Sequence, residues 1–433
     1  MVNNKKMEEI MASVSTIGAL IALVIAISVI VMGAPPAYGM ILGALIGGIA
    51  GGANAKEVVT LMFDGAGGMS PTLLRIMAAG VLAGALINSG SADVIAENIV
   101  EKLGEANSLI AIVASIFILT AIGVFADVAC LTVAPIAMVI AKKTNYSKSV
   151  IMMAMCGGTH AGNVMSPNPQ AIALSDYFQI PLTSVMIGGI IPAIFGFVAT
   201  VYITKLVHKM GIGSEVLLVE EKGNVNFSKP SLLAAITGPL ISIILLALRP
   251  IMGIEIDPLI ALPLGGFITC ILTKEVKNFV NFSTKGLNMM SGVILLLLGT
   301  GALSGIIANS GLKESLIHIV DILGLSGFLL APITGLTMGA ATASATAGST
   351  VGSQVFGETI LSFGVKPLQA AVMIHAGSNT LDGLPHGSFF HTSAGSVRMD
   401  IKEKLRLLPF EFCVGLVMTI VSTIVYGLIG LNF

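Results

Sequence analysis

The chain has 433 residues, 55% of them hydrophobic and only 10% charged, with a mean hydropathy of +0.96 and a formal net charge of −1. A soluble domain carries about 25% charged residues, so this composition excludes a soluble enzyme and a disordered chain, and the lack of a basic excess excludes a nucleic-acid binder. Four scattered cysteines (Cys130, Cys156, Cys270 and Cys413) form no CxxC pair, which points to neither a zinc site nor a disulfide framework.

A membrane-spanning helix needs about 20 mostly apolar residues. The apolar runs here are long and continuous, so they predict helices and not the alternating strands of a barrel. No charge occurs from Ile10 to Ala55. That stretch predicts one span near 11–32, a Gly-Ala-Pro-Pro-Ala turn at 33–37 and a second span ending near Gly52. The first run is longer than a signal-peptide core and a second span follows at once, so it is read as an uncleaved helix. Further apolar segments lie at 69–89, 108–141, 149–158 and 181–204. A polar loop at 205–229 divides the chain. After it come 230–248, 258–272, 289–309, 325–356, 368–377 and 408–431.

The two halves resemble each other. Leu82, Gly84, Asn88, Ser89 and Gly90 match Leu303, Gly305, Asn309, Ser310 and Gly311 at one constant shift, and Leu103-Gly104 matches Leu323-Gly324. Gly158-Thr159 then meets Gly377-Ser378. Order and spacing argue for a duplication and against chance similarity in an apolar chain. The predicted fold is an all-α polytopic membrane protein of two inverted repeats, each with about five transmembrane helices and a re-entrant hairpin. Residues 1–206 form the first repeat, with a hairpin at about 108–141 and a broken helix at about 149–169. Residues 207–229 form a cytoplasmic linker. Residues 230–433 form the second repeat, with a hairpin at about 325–356 and a broken helix at about 368–390. With both termini outside, 15 of the 22 Lys and Arg residues fall on inner loops, as the positive-inside rule requires.

Polar clusters at membrane depth are the candidates for function. The first is Thr159, His160 and Asn163, followed by Ser166-Pro167-Asn168-Pro169, where glycines and prolines break a helix. Broken helices expose backbone groups that bind ions or anions. The alternative is a surface loop. The second cluster is its repeat counterpart: His375, Ser378, Asn379, Thr380, Asp382 and His386. The third is Asp127, with no other charge from Ala106 to Ala141. An isolated acid there suits a proton carrier, and the alternative is a structural N-cap before Val128. The fourth spans 337–350, where six hydroxyls, among them Thr342 and Ser344, offer neutral hydrogen bonds to a solute; the alternative is a tight hairpin tip or a small-residue helix seam. No Walker P-loop, HExxH or GxSxG motif is present, which argues against an ATP-driven pump, a zinc protease or a serine hydrolase.

From about Gly65 onward these motifs resemble the gluconate permease (GntP) family of proton symporters. The resemblance is carried by Phe125-Ala126-Asp127-Val128 with Ala134-Pro135, by Thr159-His160 before Ser166-Pro167-Asn168-Pro169, by 339–348, and by Gly377-Ser378. The chain departs from the family pattern in having Asp127 for Glu, Asn168 for His and Ser166 for Pro, and in Asn379–His386. The resemblance implies a homodimer with a scaffold and a moving transport domain.

The expected function is secondary active transport of a small organic anion, such as gluconate or a related sugar acid or hydroxy acid, across the bacterial cytoplasmic membrane. The solute would bind at Thr159, His160, Asn163, Ser378, Asn379, Thr380, Thr342 and Ser344. Asp127, His160 and Asp382 would couple the proton. No metal or cofactor is expected. A sodium-coupled carboxylate transporter is the alternative, because Ser378-Asn379-Thr380 resembles a motif of sodium-coupled relatives. A cation/proton antiporter and an intramembrane enzyme built on Asp127 and Asp382 are further alternatives.

Overall fold

The computed structural model describes residues 13–104, 107–213, 229–252, 254, 256–312, 315, 326–385 and 387–432. The Leu323-Gly324 match, His386 and most of the linker lie outside these residues. The first half of the chain runs through α1 (Thr16–Val31), α2 (Pro36–Ala50), α3 (Ala55–Gly68), α4 (Ser70–Asn88), α5 (Ser91–Leu103), α6 (Ser108–Ala121), α7 (Ala126–Thr144), α8 (Lys148–Asn163), α9 (Pro169–Tyr177) and α10 (Leu182–Lys209). The second half has α11 (Leu232–Met252), α12 (Pro258–Leu272), α13 (Phe279–Ala308), α14 (Leu330–Thr342), α15 (Ala345–Ser362), α16 (Pro367–Ser378), α17 (Ser388–Ser396) and α18 (Ile401–Ser422), which continues as a π-helical turn over Thr423–Leu428. Among the described residues no strand forms, apart from an isolated bridge between Val14 and Ser310.

Short polar residues start many of these helices. Ser15, Asn54, Ser147, Asn168, Asp257, Ser344 and Asp400 each accept a backbone N–H of the first turn, which satisfies donors that the helix itself leaves free. Pro36, Pro169, Pro258 and Pro367 sit in the first turn, where a missing N–H costs nothing.

Helix α13 is the axis of one packed group, with α2, α3 and α4 laid against it and α12 against α4. Glycine makes these approaches possible. A methyl on Gly65 would lie 2.1 Å from the Gly301 carbonyl oxygen, and one on Gly84 would lie 2.3 Å from the Phe282 carbonyl oxygen. In lipid, where apolar side chains gain little by leaving the solvent, such close backbone contact is a main source of helix association. The second group contains α6–α10 and α14–α18. In it α6 and α7 form a hairpin whose tip is Ile122–Phe125, and α14 and α15 form another that turns at Ala343-Ser344.

Among the described residues, four helical stretches are long and apolar enough to cross a membrane, Ser70–Asn88, Leu182–Lys209, Val276–Ala308 and Ile401–Leu428, and six shorter apolar helices accompany them. Large apolar side chains such as Val24, Phe63, Ile194 and Tyr202 remain exposed on the outside, as a lipid-facing surface requires.

The structure departs from the expected spans in two ways. Helices α3 and α5 were not expected as separate elements. They carry Lys56, Glu57 and Asp64, and Asp93, Glu97, Glu101 and Lys102, so a hydropathy reading passes over them. The N-cap alternative for Asp127 is also overturned. Phe125 occupies the cap position of α7 and makes no side-chain cap bond, while Asp127 is the second residue inside the helix.

Candidate functional site

The site begins where two helices stop. Helix α8 ends at Asn163, the chain turns, and Asn168 restarts it as α9 by accepting from the Ala171 N–H at 2.8 Å. Asn168 also donates to the Asn163 carbonyl at 2.8 Å, which braces the break. In the other half α16 ends at Ser378, and α17 restarts at Ser388. The hairpin tip at Ala343, left-handed at φ 44°, rests on Gly387 just before that restart. A methyl on Gly387 would lie 2.1 Å from the Ala343 carbonyl oxygen.

Both breaks and both hairpin tips border one cavity of about 70 Å³. Its wall includes the first residues of four helices: Ala126 of α7, Pro169 of α9, Ala345 of α15 and Ser388 of α17. Helix N-termini carry partial positive charge and free N–H groups, so their convergence favours an anion. Among the described residues no Lys or Arg lines the cavity, whereas Asp127 and Asp382 both do. His160 is buried in the wall. Its Nε2 lies 3.1 Å from Asp382 Oδ1, at ion-pair distance but without hydrogen-bond alignment. The His160 ring also packs 5.5 Å from the Phe389 ring.

Of the residues expected from sequence, Asp127, Thr159, His160, Asn163, Ser344 and Asp382 reach the cavity. Thr342, Ser378, Asn379 and Thr380 do not line it; all four are buried behind it. Asn163 donates to Asn379 Oδ1 at 3.1 Å and to Gln170 Oε1 at 3.0 Å. Gln170 donates to Ser378 Oγ at 2.5 Å, and Asn379 donates to the His375 carbonyl at 2.8 Å. Thr380 shares a hydrogen bond with Thr419 at 2.8 Å. Thr342 donates to the Met338 carbonyl at 2.8 Å and the Ser344 carbonyl at 3.1 Å, which ties down the hairpin tip. The Thr159 hydroxyl donates to the Met155 carbonyl at 2.8 Å. The two motifs therefore meet, with the second supporting the wall that the first lines.

Three features escaped the sequence reading. Gln170 joins the two breaks. Lys404 and Glu411 form a buried ion pair at 2.5 Å on α18, although Lys404 reads as part of a basic inner loop. The signal was Glu411, the sole acid after Arg406. Finally, Arg75 on α4 bonds Asp176 at the end of α9 and, through Nη2 at 2.5 Å, Asp257 at the cap of α12. Among the described residues, no group of three or more His, Cys, Asp or Glu side chains is placed to hold a metal ion.

Comparison with known proteins adds sequence and fold relatives. A family model described as GntP family permease matches residues 9–259. An uncharacterized transporter of Haemophilus influenzae is 52% identical over 419 residues, covering 96% of this chain and 99% of its own. A high-affinity gluconate transporter of Escherichia coli (strain K12) is 21% identical, covering 89% of this chain and 93% of its own. A gluconate permease of Bacillus licheniformis is 24% identical, covering 68% and 73%. The solved structure of the Alcanivorax borkumensis YdaH transporter superposes with a TM-score of 0.57 at 12% identity, over 87% of this chain and 90% of that one. At that identity the likeness is one of fold.

Proposed function

Because the chain belongs to the GntP permease family, we propose that it carries a small organic anion, a sugar acid or hydroxy acid, together with a proton. The protein is a transporter and not an enzyme, and a multi-pass protein of the bacterial plasma membrane. The observation that carries the finer reading is the charge pattern of the cavity. Four helix N-termini attract an anion, yet Asp127 and Asp382 repel it while both are ionised. A proton taken up with the solute removes that repulsion, so binding of each favours the other.

The gluconate transporters among the relatives support a polyhydroxy carboxylate as the solute class. Thr159, Asn163 and Ser344 supply neutral partners for its hydroxyls. The architecture belongs to the proposal too: two inverted repeats with their hairpins meeting at mid-depth, residues 1–206 and 230–433 as the units, and a homodimer as the working form. Matched packing supports the repeat, since α2 lies on α13 as α12 lies on α4, and α9 lies on α15 as α17 lies on α7.

A sodium ion would also neutralise the two carboxylates, and this is the second reading. It has less support, because Ser378, Asn379 and Thr380 already spend their polar groups on Gln170, His375, Asn163 and Thr419. The test is uptake of labelled gluconate and related hydroxy acids into proteoliposomes under a proton gradient, a sodium gradient or neither. Accumulation under the proton gradient alone is the expected result. Accumulation under sodium alone, or of cations instead of acids, overturns the proposal.

A further inference from the structure

The Lys404–Glu411 pair lies inside the second helical group, away from the cavity wall, and the proposed transport step does not use it. Lys404 is 0% exposed and Glu411 3%. Both sit on α18, seven residues apart, two turns along one face. Lys404 Nζ is 2.5 Å from Glu411 Oε1 and 3.1 Å from Cys156 Sγ on α8, and it stands 5.9 Å from the centre of the Phe390 ring on α17. The cation is therefore enclosed by partners on three elements.

The carboxylate is satisfied on one side only. Glu411 Oε2 is buried and has no hydrogen-bond partner among the described residues. It faces the turn between α16 and α17, where a methyl on Gly383 would lie 3.0 Å from it. Asp382, the next residue back, is the acid that approaches His160. The ionisable groups around Glu411 are thus Lys404 on its own helix, Cys156 and His160 on α8, and Asp382 beside Gly383. His375 lies on α16, which also packs against α18. A buried carboxylate with a bare oxygen costs more than one with both oxygens satisfied, so a purely structural pair would be expected to cap that oxygen.

We propose that Glu411 is a second proton site of the transport cycle, filled through the Asp382–His160 side of the turn and emptied by re-forming its bond to Lys404. The inference rests on the proton-coupled reading above. A proton arriving on Oε2 neutralises the carboxylate and weakens its hold on the Lys404 ammonium. That change acts on the segment joining α16 to α17, which carries Asp382, a residue of the cavity wall. When the proton leaves, the Lys404–Glu411 pair closes again. The only covalent bond that forms or breaks is the carboxyl O–H, whose proton comes from and returns to the Asp382–His160 side, and the charge of the site changes by one.

The test uses full-length protein reconstituted in lipid. Infrared difference spectra between acid and neutral buffer report protonated carboxyl groups directly and need no solute. Glu411→Gln is expected to remove one component of the protonated-carboxyl band. Should that variant not fold, Lys404→Met/Glu411→Gln removes both charges together and is expected to lack the same component. An unchanged band in whichever of these variants folds overturns the proposal. In proteoliposomes the double variant is expected to exchange labelled gluconate between equal pools but not to accumulate it under a proton gradient. Wild-type accumulation by the double variant also overturns the proposal. If the wild-type protein carries no gluconate, the solute reading above fails, while the infrared result still decides the role of Glu411.

Discussion

Asn163 donates to Asn379 across 3.1 Å, joining side chains 216 residues apart in the chain. Each stands where a helix of its half breaks, so the bond ties the two breaks to each other. Asn163 also reaches the cavity, whereas Asn379 does not. Losing one neutral hydrogen bond costs about 0.5–1.5 kcal/mol, roughly a two- to tenfold change in affinity at 1.4 kcal/mol per tenfold. Asn163→Ala is expected to raise the half-saturation concentration for the transported acid by about that much. Asn379→Ala is expected to lower thermal stability first and affinity second. Because the pair is in contact, the double variant should lose less than the sum of the singles, which a double-mutant cycle on melting temperature and uptake will read.

Helix packing through glycine gives a paired test. Gly65→Val puts a side chain where the Gly301 carbonyl already stands, at 2.1 Å from the first added carbon. Backbone cannot give way cheaply there, so the α3–α13 contact must open. The expected result is loss of monodisperse protein in gel filtration. Gly67, two residues on in α3, has nothing within 4 Å of an added carbon. Gly67→Ala is expected to fold and to gain up to about 0.5–1 kcal/mol from helix propensity.

The membrane class was legible because it has a local cause. Long uncharged runs are visible one residue at a time, as are the prolines of Ser166-Pro167-Asn168-Pro169, which stand where α8 ends and α9 begins. Helices α3 and α5 were not legible, since their charges mask their helical nature in a hydropathy profile. Which hydroxyls face the cavity was not legible either. Ser378 and Asn379 repeat the pattern of Gly158-Thr159 and its neighbours, but the repeat fixes only position along the chain. Gln170 turns them into a supporting layer, and that depends on contacts 208 and 209 residues apart. Lys404 was hidden for a related reason: charge in a sequence says nothing of a partner seven residues on until the helix brings both to one buried face.

Arg75 clamps α4 to α9 and α12 through Asp176 and Asp257. Its hydrogen bonds hold the Asp257 carboxyl below the usual carboxylate range, against the opposing effect of burial. A depressed carboxyl contributes stability above its unfolded value of about 3.9, and loses it as pH falls through the lower folded value. The contribution is therefore constant from neutral pH down to about pH 5. Asp257→Asn is expected to lower stability by an amount on the order of 1 kcal/mol, because the pair is partly open to solvent. The gap in melting temperature from wild type should stay level from pH 8 to pH 5 and close only in stronger acid. A gap that closes between pH 7 and pH 5 would show that another group controls the clamp.

Asp127 stands in the first turn of α7, on the cavity wall, in a hairpin with no other acid. Its place near a helix N-terminus favours negative charge, whereas an anionic solute beside Asp382 disfavours it. Which influence prevails depends on whether the solute is bound, and that dependence is what coupling requires. Asp127→Asn keeps the size and most of the hydrogen-bonding capacity of the side chain but cannot change charge. The variant is expected to fold, to reach the membrane at wild-type levels and to exchange solute between equal pools. Accumulation against a gradient should be lost, together with the pH dependence of uptake on the acid side. Asp127→Glu restores a titratable group, one methylene longer, and should recover part of the accumulation. If Asp127→Asn still concentrates solute with the wild-type pH profile, then Asp127 is structural, and proton coupling falls to His160 with Asp382, whose 3.1 Å approach is the next place to test it.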